Sequence, residues 1–135
     1  MFGTFDISAS GMRAERVRMN VVAQNIAKAE AVLDESGQVN PYRRQMAVFA
    51  QGADERGTPG VRVAGVVKDM SPLRAVEVGP GHELDTDQDG IVYYPNVDIL
   101  TENVDGMLAA RAFEANVAAY EITKSMIGNA LRILA

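Results

Sequence analysis

The sequence predicts an α+β protein with two long terminal α-helices and a small β-rich middle region. Three observations predict it. Apolar residues recur at helical spacing over the first thirty positions and again from about Val97 to the end. All five prolines and most of the glycines fall between those segments. Short runs of β-branched and aromatic residues are set among these turn formers. The expected boundaries are 1–30 and 97–135 for the helical part and 31–96 for the β-rich insert.

In the first segment Phe5, Met12, Met19 and Ile26 repeat every seven residues, with Ala9 and Ala23 between them. Ile7, Ala14, Val17 and Val21 form a second apolar line on another side. Asp6 or Ser8 is expected to cap the helix start. Gly11 weakens the first half by up to ~1 kcal/mol relative to Ala, which predicts a frayed N-terminal end in the isolated chain. The middle offers four candidate strands: YRRQMAVF from Tyr42, VRVAGVV from Val61, RAVEV from Arg74 and IVYY from Ile91. DESGQVNP and GADERGTPG read as loops.

The last segment has no proline and is rich in Ala, Leu, Glu and Met. Phe113, Val117, Tyr120, Ile127, Leu131 and Leu134 share one stripe, broken by Lys124. Leu108, Ala112, Ala115, Ala119, Ile122, Met126 and Ile133 share another on the opposite face. A surface helix needs one apolar stripe. Two stripes on a chain with only two long helices predict self-assembly or assembly with other chains, because an exposed ridge of this size is rarely tolerated by a monomer.

Composition narrows the chemistry. The 135 residues suffice for one modest domain, or for a small domain with extensions. With no Trp and few aromatics, the core must rely on Val, Ile, Leu, Met and Ala, which suits close helix packing. A net charge of −5 without a basic stripe disfavours nucleic acid. The lack of cysteine removes disulfides, thiolate catalysis and Cys-type zinc sites. No run approaches the ~20 apolar residues of a membrane span. Asp6 and Glu15 interrupt the start, so no cleaved secretory leader is expected.

DTDQDGIVYYPN, from Asp85 to Asn96, looks at first like a calcium loop, with Asp85, Asp87, Asp89 and then Gly90. An EF-hand requires a bidentate carboxylate at the twelfth position, where this chain has Asn96 after Pro95. The entering segment VGPGHEL is also a poor helix end. An acidic turn in which Gly90 bends the chain into IVYY is the simpler reading. His82, the only histidine, has no His or Cys companions for a metal and no nucleophile motif nearby. There is no P-loop. No catalytic residue, cofactor site or metal site is assigned, and an enzyme is not expected. Arg13, Arg16 and Arg18 cluster on the first helix, either as a solvated side or as a guide to an acidic surface. From the residues alone, a calcium-binding EF-hand-like regulatory module and a generic coiled-coil adaptor stand as alternative readings.

Four stretches carry a resemblance that spans nearly the whole chain. FDISASGMRAERVRMNVVAQNIAKAEA resembles the N-terminal helix of flagellar axial proteins, which ends in an N-I-A-N-A motif; Lys28 stands where that motif has its second Asn. PYRRQMAVF is similar to the β segment that follows. The stretch from Gly60 to Asp98 resembles the family's central segment, in which a P-G-H leads through an acidic turn to Y-x-x-P-N-V. ARAFEANVAAYEITKSMIGNAL resembles the C-terminal helix, with its core at Arg111, Ala112, Phe113, Ala115 and Asn116. Together with the short length, these features are similar to the proximal rod proteins of the bacterial flagellar basal body, the FlgC type.

The resemblance implies a structural subunit of the rod that transmits motor torque to the hook. Its terminal helices would form an antiparallel coiled-coil layer, with the β-rich insert outside. It implies export by a type III route without a cleaved signal, a place in the periplasmic rod, and helical self-assembly. Implied partners are proximal and distal rod proteins, the basal-body base and the export apparatus. The assembly interface expected comprises Ile7, Met12, Met19, Val21, Asn25 and Ile26 on the first helix. On the second it comprises Phe113, Asn116, Val117, Tyr120, Ile127, Leu131 and Leu134. Asn25, Asn96 and Asn116 are expected to make helix-end or interhelix hydrogen bonds.

Overall fold

A computed structural model describes residues 2–53, 58–85 and 87–134 of the chain. Helix α1 spans Phe2–Ala27 and helix α2 spans Ile99–Leu134. Between them lie strands β1 (Gln45–Gln51), β2 (Val61–Lys68), β3 (Arg74–Glu77) and β4 (Ile91–Tyr94). The architecture is α+β: two terminal helices packed on each other, with a small middle of antiparallel strands.

The helices run antiparallel. Asn25 meets Glu102 near the start of α2, Gly11 meets Asn116 further along, and the Phe5 ring meets Tyr120 edge-on at 4.8 Å. Small residues allow the close approach. A Cβ placed on Gly106 would lie 3.3 Å from Val22, and one on Gly11 would lie 2.8 Å from the Asn116 amide. Gly11, costly to an isolated helix, is therefore the residue that admits Asn116. Ala14, Val21, Val22 and Ala109 are buried around this seam, and each larger side chain there contributes roughly 1.5–3 kcal/mol. Contacts at Phe5 and Ser10 hold the first half of α1, expected to fray, as regular helix.

Strands β1 and β2 form a hairpin with Gln45 opposite Lys68 and Gln51 opposite Val61; an irregularity at Val48/Phe49 leaves Ala64 unpaired in the register. The hairpin packs against α1. Strands β3 and β4 form a separate two-stranded sheet, Arg74 opposite Tyr94 and Glu77 opposite Ile91. Val92 within β4 and Pro95 just after it are fully buried, and Arg74 ties the sheet to the segment after α1 through Glu30 at 3.0 Å. The DESGQVNP loop is a tight turn in which Asp34 Oδ1 accepts the Ser36 and Gln38 amides at 2.9 and 3.0 Å.

Two expectations are corrected. α1 begins at Phe2, so Asp6 and Ser8 lie inside the helix and cap nothing. Ser8 is buried, and its polarity on a helix face mimicked a cap signal in the sequence. α2 starts at Ile99 rather than Val97 because Asp98 is its cap: Oδ1 accepts the Leu100 amide at 3.2 Å, and Oδ2 accepts the Thr101 hydroxyl.

The Thr101 hydroxyl, followed by the Leu100 amide, holds the Asp98 carboxyl below its ordinary value of 3.8. A depressed pKa stabilises the fold above the unfolded value and loses that contribution as the pH falls through it. Asp98→Asn should therefore match the parent chain in stability near neutrality and show a shallower loss below about pH 4. Asp98→Ala should be less stable at both. Thermal melts across this pH range check it; identical acid profiles for the parent and Asp98→Asn would contradict the cap.

Candidate functional site

Two features of the folded chain bear on function: a buried polar junction between the helices and the middle region, and an uncovered apolar face on α2.

At the junction Asn25 is 1% exposed and Glu102 is 0% exposed. Asn25 Nδ2 donates to Glu102 Oε2 at 2.9 Å and to the Gln45 carbonyl at 2.8 Å. Its Oδ1 accepts the Gln45 amide and the Tyr42 hydroxyl, both at 2.9 Å. The Asn25 side chain thus pairs with β1 as a neighbouring strand would, satisfying both backbone groups of Gln45. Glu102 Oε1 accepts Arg44 Nε at 2.6 Å. Asn96 holds the next peptide: its Oδ1 accepts the Arg44 amide at 2.9 Å, while its Nδ2 donates to the Asp69 carbonyl at 3.1 Å and Ser71 Oγ at 2.9 Å. Burial, reinforced by the Glu102 charge, pushes the Tyr42 phenol up, which keeps it a hydrogen-bond donor. Lys28 sits 5.3 Å over the Tyr42 ring, where an Asn could not make a cation–π contact. Further along the seam Arg18 forks onto Asp105, which pushes the guanidinium pKa up.

Of the three asparagines expected to make helix-end or interhelix bonds, Asn25 bridges the helices. Asn96 gathers the connections at the base of the hairpin, and Asn116 bonds back to the Ala112 carbonyl at 2.9 Å while packing on Gly11. Glu102, Arg44, Tyr42, Ser10 and Asp105 were not singled out by the sequence. The one available signal was Glu102 in the first turn of α2, four residues after the Asp98 cap, which reads as an ordinary helix start.

The expected interface residues divide. Phe113, Val117, Tyr120, Met12, Met19 and Ile26 are half-buried, Tyr120 against Phe5 of α1, and Val21 is buried beside β1. Ile127 is half-buried, whereas Ile7 and Leu131 are exposed. The side chain of Leu134 lies outside the described residues. The second stripe of α2 is open: Leu108, Ile122, Met126 and Ile133 are all well exposed, and Leu100, Val104 and Met107 extend it to the helix start. Because Tyr120 already faces Phe5, α2 runs on past the described start of α1, and Ile133 reaches 85% exposure.

The acidic stretch is a turn. Asp85 Oδ2 accepts the Gly90 amide and Asp89 Oδ1 the Ile91 amide, both at 2.9 Å, and Gly90 takes a φ of 78° as the chain enters β4. Among the described residues, no group of three or more His, Asp or Glu side chains is placed to hold a metal ion. Thr86 lies outside the described residues. Among the described residues, no helix is long and apolar enough to cross a membrane.

Arg44→Ala strands the buried Glu102 carboxylate and should lower stability by roughly 3–5 kcal/mol in urea denaturation. Arg111→Ala, which breaks an exposed pair with Glu114, should barely move the midpoint. Equal losses in the two variants would contradict the weight placed on the junction.

Residues 88–133 match the family model described as "Flagellar basal body rod FlgEFG protein C-terminal". Over 128 residues the chain is 38% identical to the flagellar basal-body rod protein FlgC of Salmonella typhimurium, covering 94% of this chain and 92% of that protein. The Yersinia enterocolitica protein of the same name is 41% identical over 130 residues, covering 94% and 92%. That of Bacillus subtilis is 34% identical over 148 residues, covering 98% and 97%. With these relatives matched along almost their full length, the chain belongs to the FlgC-type rod proteins of the bacterial flagellar basal body and is a structural subunit of that rod.

Proposed function

We propose that the chain enters the rod through its terminal helices and transmits torque from the motor to the hook by packing alone, with no catalytic step. In this reading α1 and α2 form the inner helical layer and the β-rich middle stands outside it. Neighbouring copies and other rod proteins cover α2, the rod sits in the periplasmic part of the basal body, and the chain reaches it by type III export without a cleaved signal. The basal-body base and the export apparatus are its further partners.

The observation that carries the reading is the open face of α2. Leu100, Met107, Ile122, Met126 and Ile133 on that face are each more than 60% exposed, as is Leu131 of the other stripe where α2 runs past α1, and covering each is worth roughly 1.5–3 kcal/mol. Contacts between unlike surfaces that do not close a ring propagate as a helical array. Leu131 offers a clean test because it is 62% exposed in the single chain. Leu131→Asp should leave the folded chain and its expression intact but abolish rod completion and swimming. Motile cells with complete rods would contradict the proposal.

A further inference from the structure

The β1–β2 hairpin is held to α1 at two widely separated points. At its base, the Asn25 amide completes the backbone hydrogen bonds of Gln45 while Glu102 draws in Arg44. At its far end, Ser10, which is 1% exposed, accepts the Val61 amide on Oγ at 3.1 Å and donates to the Ile7 carbonyl at 2.7 Å. Gly60 comes so close that a Cβ there would overlap Ser10 Oγ, and its φ of 138° disfavours any other residue. Ser10 and Asn25 lie about four turns apart on α1, so the hairpin lies along the helix rather than standing off it. A strand pair fixed at one end pivots; one fixed at both ends does not.

We propose that Ser10 and Asn25 are positioning residues that clamp the two ends of the hairpin to α1, so that the helices and the hairpin move as one rigid strut. The mechanical consequence, that load on the middle region reaches the helices without pivoting, rests on the rod reading above. The clamp itself does not, and is testable on the isolated chain.

The chain has no cysteine, so pairs introduced for spin labels report cleanly. Labels at Arg13→Cys with Gln51→Cys read the far end, and labels at Gln24→Cys with Lys68→Cys read the base. Pulsed electron–electron distance measurements on the otherwise unaltered chain should give narrow distributions for both pairs. Ser10→Ala should broaden the far-end distribution and spare the base. Gly60→Ala, which disturbs the same contact from the opposite side, should do likewise. Asn25→Ala should broaden the base. Far-UV circular dichroism should keep its helical signal in the Ser10 and Gly60 variants. A far end that stays as narrow as in the parent chain in both variants overturns the clamp. So does a broad parent distribution, or broadening that comes only with loss of helicity. Because no rod is needed, failure here is distinct from failure of the rod reading, which Leu131→Asp tests.

Discussion

The structure depends on an unequal helix pair: α2 has 36 residues and α1 has 26. At 1.5 Å per residue that is about 54 Å of helix against about 39 Å. Packed antiparallel from the Asn25–Glu102 contact, the shorter helix is used up near Tyr120. α1 also covers only one side of α2. Everything apolar on the remaining side, from Leu100 to Ile133, therefore faces water in the single chain. The buried seam fixes the fold, while the uncovered side makes the fold incomplete.

Among the described residues, the middle region does not supply the missing cover. Its hairpin lies along α1 and its second sheet attaches to the segment after α1 through Arg74 and Glu30. What it adds is a defined attachment. The Glu102 carboxylate is fully buried, and such a charge is tolerated only with its partners in place. Arg44 and Asn25 take one oxygen each. The junction thus specifies one arrangement of helices and hairpin, since any other would leave a buried charge unpaired. The contrast with α2 is one of role: polar groups set the geometry within a subunit, and apolar surface is left over for contacts beyond it.

The helices and all four strands were legible because their signals are local. Seven-residue repeats gave α1, and β-prone runs between prolines gave strands close to where they lie. The acidic stretch was also legible as a turn, since Asn96 at the twelfth position and the poor entering helix VGPGHEL each contradicted a calcium loop. The failures share one cause, which is that long-range contacts override local meaning. Ser8 and Asp6 looked like caps, but α1 extends beyond them. Ser10 carried no local signal, because its partner is the Val61 amide, which only the hairpin brings near. Gly11 looked like a weakness and is a seat for Asn116. Glu102 had no local mark of burial because its partners come from α1 and from Arg44, just before β1. The apolar stripes were visible, yet which one α1 would cover could not be read from spacing, because both have helical period.

Met126 offers the most direct measurement of the central claim, that α2 carries apolar surface which other molecules must cover. It is 67% exposed in the single chain. A photo-crosslinking amino acid at this position, activated in intact basal bodies, should join the chain to a neighbouring rod subunit in high yield. Recovery of the chain uncrosslinked from fully assembled basal bodies would contradict the account.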